Sequence, residues 1–222
     1  MYREHWDSFY AQPHPDLVNP TPFARHCLHR IAPGSTLFEL GCGNGRDALY
    51  FARHGLRVTA CDQSSVAIGQ LREQVRRTHR LHAHVELVEA EFRRLGEIPP
   101  VDVVYSRFTL HAVDADEASS VLRWSRRALR PGGQFMIEAR SVKGDLYGRG
   151  EPAGRDAFVH DGHYRRFIRL DELAAELEAA GFEIEEAIEK RGLAVFGTDD
   201  PVVVRVLARA AGPSGNAPGD PP

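Results

Sequence analysis

The stretch Glu39-Leu40-Gly41-Cys42-Gly43-Asn44-Gly45-Arg46-Asp47 sets a carboxylate, three alternating glycines and a long cation close together in the chain. Glycines at that spacing admit positive φ and let a ligand lie against bare peptide. The free N–H groups of a following helix start favour a negative group such as a carboxylate or phosphate. A dinucleotide fingerprint would need a glycine where Arg46 stands, counting from Gly41. Arg46 spoils that reading and suits a carboxylate instead. Further on, Leu56-Arg57-Val58-Thr59-Ala60-Cys61 ends in Asp62, an acceptor suited to the two hydroxyls of a ribose. Together these residues call for a small ligand carrying both groups. In the loop Ser106-Arg107-Phe108-Thr109-Leu110-His111, His111 titrates in a range that suits proton removal near neutrality. It could equally pack its loop without catalytic duty, and both roles stay open.

Strands and helices must place these groups. Leu37 to Leu40 reads as a strand, with a helix over Ala48 to Ala52 behind the glycine turn. Asp62 closes a second strand, and Ser64-Ser65 caps a helix running through Leu71 and Val75. Val85 to Ala90 and Val101 to Tyr105 are the next strands, the latter ending at the same sheet edge as Gly41 and Asp62, where open α/β sheets bind ligands. A helix over Asp116 to Arg130 stops at Pro131-Gly132-Gly133, and Gln134 to Glu138 is a fifth strand. A helix from Leu170 to Gly181 precedes strands over Phe182 to Ile188 and Pro201 to Ala208. This alternation is an α/β fold with a mostly parallel sheet.

Glu39-x-Gly41-x-Gly43-x-Gly45 and Asp62 resemble the first two motifs of the class I S-adenosylmethionine-dependent methyltransferases. The loop Gly41 to Asp47 is similar to that of their tellurite-resistance and thiopurine methyltransferase-like subgroup, and Leu129-Arg130-Pro131-Gly132-Gly133 is another frequent family feature. The resemblance covers roughly residues 35 to 140. It implies a Rossmann-like seven-stranded sheet in the order 3-2-1-4-5-7-6, its last strand antiparallel, with helices on both faces. It implies S-adenosyl-L-methionine as cofactor, held by Glu39, Gly41, Gly43, Asn44, Arg46, Asp62 and Gln63, with Glu91 and Phe92 near the adenine and Ser106 at the strand end that faces the methyl. Glu91 stands where aspartate is commoner, and its side chain reaches farther.

Residues 1 to 12 place Tyr2, Trp6, Phe9 and Tyr10 at helical spacing. They read as an amphipathic helix packed on the domain, or as a lid over the cofactor as in the thiopurine-type enzymes, where Trp6 or Tyr10 would gain about 0.5 to 2 kcal/mol from a sulfonium. Pro13, Pro15, Pro20 and Pro22 then break the chain before a short helix from Phe23 to Ile31. Residues 1–32 are accordingly expected as an N-terminal helical lid and 33–210 as the cofactor-binding domain. The segment from Ala139 to Arg169 is too long for an ordinary connection, and long ordered loops are usually functional. Arg140, Lys143, Tyr147, His163, Tyr164, Arg165 and Arg166 are its candidates for binding an anionic acceptor, since arginine forks suit carboxylates and phosphates. The competing reading is a mobile loop whose charges pair with its own acids.

The chain has 222 residues, a net charge of −3 and three cysteines. This balance gives no global positive field for nucleic acid, and an odd cysteine count at no metal-like spacing favours a reduced compartment, the cytoplasm. His79, His82 and His84 straddle a helix end and a strand start without partner ligands, so no metal site is expected. No apolar run is long enough to cross a membrane, and the Gly/Pro-rich residues 211–222 are expected to be disordered. The function expected is methyl transfer to a small, anionic metabolite by in-line displacement. The alternatives are another use of the same cofactor, such as cyclisation releasing methylthioadenosine, or cofactor binding without catalysis. Oligomeric state is not legible.

Overall fold

The apolar runs that flank the glycine turn become the centre of one sheet. The computed structural model describes residues 3–12 and 19–212. The expected tail beyond Gly212, together with Tyr2, Pro13 and Pro15, lies outside the described residues. In chain order the elements are α1 (Arg3–Ala11), α2 (Pro22–Leu28), β1 (Thr36–Leu40), α3 (Arg46–Arg53), β2 (Arg57–Asp62), α4 (Ser65–Arg77), β3 (Val85–Glu89) and β4 (Val101–Arg107). They continue with α5 (Ala115–Ala128), β5 (Leu129–Arg140), β6 (Glu151–Gly154), β7 (Ala157–His160), β8 (His163–Arg166), α6 (Leu170–Ala179), β9 (Phe182–Lys190) and β10 (Val203–Ala210).

The main sheet has the order β3-β2-β1-β4-β5-β10-β9, with β10 antiparallel to both neighbours. This is the expected seven-stranded order, β9 and β10 taking the places of the sixth and seventh strands. Covered on both faces, the central strands are apolar runs rather than alternating ones. On one face Phe23, Phe51, Leu71 and Tyr105 pack α2, α3 and α4; on the other Phe38, Trp124, Phe135 and Leu177 pack α5 and α6. Register brings Leu40 level with Cys61 and Ser106, and Arg107 level with Glu138. The carboxyl ends of β1, β2, β4 and β5 therefore share one edge.

Asp47 ties three elements together beneath that edge. Its buried carboxylate accepts from Thr21 N–H at 2.8 Å, from Thr21 Oγ1 at 2.8 Å and from Tyr105 OH at 2.9 Å. Thr21 is also the N-cap of α2, accepting from Ala24 N–H at 3.0 Å. One carboxylate thus fixes α2, α3 and β4 against each other.

Two expectations need correcting. The helix expected to reach Arg130 ends at Ala128, because Pro131 disfavours helical backbone at the residue before it and Leu129 is already extended. The segment from Ala139 to Arg169 is not a long loop. β5 runs on to Arg140, and β6, β7 and β8 form a separate antiparallel sheet. Asp161 and Gly162, with φ of 53° and 69°, make the two-residue turn between β7 and β8. An Asp-Gly pair is a strong hairpin signal.

Replacing Asp47 with alanine strands the Thr21 donors and the Tyr105 hydroxyl in the core. The expected loss is about 3 kcal/mol, roughly 6–12 °C in Tm. Thermal unfolding of Asp47→Ala without added ligand checks this, and a shift under two degrees would show that the tie is redundant.

Candidate functional site

The glycine turn is closed by three side chains from three different elements. Gly41, Gly43 and Gly45 have φ of 66°, 54° and 79°, a left-handed backbone that other residues enter only with strain. Added Cβ atoms would fall 2.2 Å from Thr109 Cγ2, 2.2 Å from the Tyr10 hydroxyl and 2.3 Å from Leu71 Cδ1, respectively. Asp62 stiffens the turn from the next strand. Its carboxylate accepts from Gly43 N–H at 2.8 Å and from Ser64 N–H at 2.9 Å.

Above the turn opens a cavity of about 670 Å³, within the usual range for small-molecule sites. Trp6, Tyr10, Glu39, Gly41, Gly43, Asn44, Arg46, Asp62, Gln63, Glu91, Phe92 and Tyr164 line it, so most of the expected cofactor residues are brought together. Glu39 is buried, and its Oε2 has no hydrogen-bond partner among the described residues. Burial pushes its carboxyl well above the usual range, Asp47 and Asp62 add to the rise, and Arg46 and Arg107 oppose it. Burial likewise raises Asp62 while its backbone hydrogen bonds hold it down.

α1 lies across one side of this cavity with no buried residue of its own. Asp7 accepts from Ser64 Oγ at 2.6 Å, Arg3 pairs with Glu89 at 3.2 Å, and Gln70 donates to the Tyr10 carbonyl at 2.7 Å. His5 and His163 meet nitrogen to nitrogen at 2.9 Å. Burial first, then Arg165, pushes the His163 ring down to about 3.

The residues expected to act on the acceptor are placed differently. Tyr164 lines the cavity, but Arg140, Lys143, Tyr147, His163, Arg165, Arg166 and Ser106 do not. Arg140 pairs with Asp199 at 2.7 Å, Lys143 with Glu189, and Tyr147 OH donates to Asp156 at 2.6 Å. Arg166 Nη2 donates to the Leu110 carbonyl at 3.3 Å. Ser106 is fully buried and bonds the Thr109 hydroxyl. His111 is buried behind the wall, its ring 5.0 Å from that of Phe108. Burial, then the positive charge of Arg140, pushes its imidazole well below the ordinary value. Of its two possible roles, this setting favours packing.

Arg107, Phe108, Thr109, Asp114 and Glu117 line the cavity without having been singled out. Arg107 ends a central strand and Phe108 and Thr109 follow it, at the edge where such sheets bind ligands, the signal that could have marked them. Phe108 has φ of 58°, an outlier for an aromatic residue and the kind of strain found at sites.

Comparison with known proteins agrees with this geometry. Residues 37–133 match a family described as "Methyltransferase domain". A Talaromyces variabilis protein named S-adenosyl-L-methionine-dependent Diels-Alderase iccD is 35% identical over 110 residues, 48% of this chain and 37% of that protein. A carboxy-S-adenosyl-L-methionine synthase from Pseudomonas paraeruginosa is 34% identical over 115 residues, 49% of this chain and 45% of that one. The chain thus spans less than half the length of these relatives. The crystal structure of a Methanosarcina mazei S-adenosylmethionine-dependent methyltransferase superposes with a TM-score of 0.74 at 19% identity, covering 84% of this chain and 98% of that one. The family match thus spans residues 37–133, less than half of the chain, and the chain shares its fold with that methyltransferase.

The raised carboxyl of Glu39 yields a prediction with two opposed signs. A carboxyl held above its unfolded pKa favours folding below the unfolded value and loses that contribution as pH rises through the folded one. Glu39→Gln without ligand should therefore match or exceed the parent in Tm at pH 7, with its advantage growing from pH 5 to 8. Its affinity for S-adenosylhomocysteine should fall on the order of tenfold or more, since a charged hydrogen bond is lost. Equal affinity in calorimetry would remove Glu39 from the site.

Proposed function

We propose that this protein transfers the methyl group of S-adenosylmethionine to a small, anionic acceptor. The observation that carries the reading is the buried Glu39 carboxylate, whose Oε2 lacks a hydrogen bond among the described residues and which faces the same cavity as the glycine turn and Asp62. A buried polar atom without a partner asks for one, and the amino group of the methionine moiety is a fitting donor. Arg46, at the first turn of α3, would take the carboxylate. Asp62 retains lone pairs beyond those used by Gly43 and Ser64 and would accept from the ribose. Glu91 and Phe92 would lie toward the adenine. When bound, the cofactor supplies a sulfonium whose methyl is displaced in line, a reaction in which charge disperses.

The protein's share is alignment and exclusion of water. Trp6 and Tyr10 of α1 and Tyr164 of β8 wall the cavity from above, which supports the N-terminal helix as a lid. The glycine turn's likeness to the thiopurine-type loop supports the same reading. Thr109 braces Gly41, so the loop after β4 sets the distance between cofactor and acceptor. A second reading, use of the cofactor for another chemistry, draws support from the names of the two relatives, neither of which describes a methyl transfer.

Mass spectrometry separates these readings. The protein is incubated with S-adenosylmethionine and a metabolite extract of its source cells. Appearance of S-adenosylhomocysteine with a product heavier by one methylene is the expected outcome. Methylthioadenosine or a carboxylated cofactor would replace methyl transfer with the second reading.

A further inference from the structure

Arg107, at the carboxyl end of β4, lines the cavity while sharing its carboxylate partner with a second, buried guanidinium. Glu138 of β5 sits between Arg107 of β4 and Arg205 of β10, level with each in the sheet. Arg107 Nε donates to Glu138 Oε1 at 3.0 Å, and Arg205 donates to Oε2 through Nε at 3.1 Å and Nη2 at 2.6 Å. Glu138 is 1% exposed and Arg205 4%. Two guanidiniums thus share one carboxylate away from water, where unpaired charge is costly. Arg107 also acts electrostatically on Glu39 and Arg46.

Arg205 Nη2 also donates to the Leu193 carbonyl at 3.1 Å. Arg107 is the member that reaches the cavity, and beyond its bond to Glu138 it makes no other hydrogen bond among the described residues. Its guanidinium lies 4.0 Å from the centre of the Phe108 ring, with that of Arg140 at 5.3 Å from the same ring. Trp6, Tyr10, Phe92 and Tyr164 bring further aromatic surface to the cavity. The space is thus built for a flat body with a negative group.

No histidine lines this cavity among the described residues, and Asp114 and Glu117 are held by Arg93. Among the described residues the β4 end of the cavity thus offers no imidazole, and its two carboxylates are already ion-paired. Resting on the proposed methyl transfer, we infer that the acceptor is a planar organic anion, bound through Arg107 against Phe108, that brings its own nucleophilic lone pair. The lone pair forms the new bond to the methyl carbon, the methyl–sulfur bond breaks with its electrons remaining on sulfur, and no proton moves.

Benzoate and benzamide, equal in shape and different in charge, probe this subsite by calorimetry on the full chain saturated with S-adenosylhomocysteine. The expected result is at least tenfold tighter binding of benzoate. Arg107→Met should bring the two within twofold, while Arg107→Lys keeps part of the preference. Arg107→Met leaves Glu138 paired one-to-one with Arg205, so the fold should persist, and a thermal unfolding midpoint close to the parent's verifies it. Equal binding in the parent, no benzoate binding, or a preference that survives in Arg107→Met overturns the inference. Failure to bind S-adenosylhomocysteine at all would instead overturn the proposed function on which it rests.

Discussion

Three left-handed glycines in one turn are the constraint around which this molecule is arranged. The absent side chains leave space that is already taken, by Thr109 from the loop after β4, by Tyr10 from α1 and by Leu71 from α4. A methyl group at Gly41, Gly43 or Gly45 would therefore displace a neighbouring element as well as strain the backbone. The cavity wall, the N-terminal helix and the second face of the core all take their position from the same turn. Asp62 completes the arrangement from β2, since its bonds to Gly43 and Ser64 tie the turn to the cap of α4.

Charge is then distributed along the sheet edge. β1 and β2 contribute Glu39 and Asp62, while β4 contributes Arg107, whose charge Glu138 shares with Arg205. The carboxylates suit the cationic and hydroxyl-bearing parts of a cofactor, and the guanidinium suits an anion beyond it. Because these groups stand on neighbouring strands fixed by register, their separation is set by the sheet and not by loop movement. Asp47 protects this geometry from below by holding α2, α3 and β4 together.

The central sheet was legible because its signals are local. Apolar runs mark β1, β2 and β4, a serine marks the start of α4, and Asp62 ends its strand on the ligand side. The glycine turn announced the cofactor half of the cavity for the same reason. The segment after β5 was harder to read because its charges are settled over long distances in sequence. Arg140 is spent on Asp199 and Lys143 on Glu189, partners that lie far along the chain and that composition cannot pair. β6, β7 and β8 are four-residue strands with little apolar periodicity, so their sheet was hidden except for the Asp161-Gly162 turn.

His111 shows how a residue's chemistry and its position can part. Its side chain is the conventional base of the loop, and the sequence places it at the productive edge of the sheet. Yet its ring is covered on all sides, and Arg140, His163, Arg165 and Arg107 all disfavour its protonated form. A base must accept a proton and hold it, and a histidine among cations does this poorly. Burying His111 and exposing Arg107 to the cavity are thus two results of one arrangement, in which β4 ends on a guanidinium that reaches the cavity and the loop after it turns its imidazole into the core.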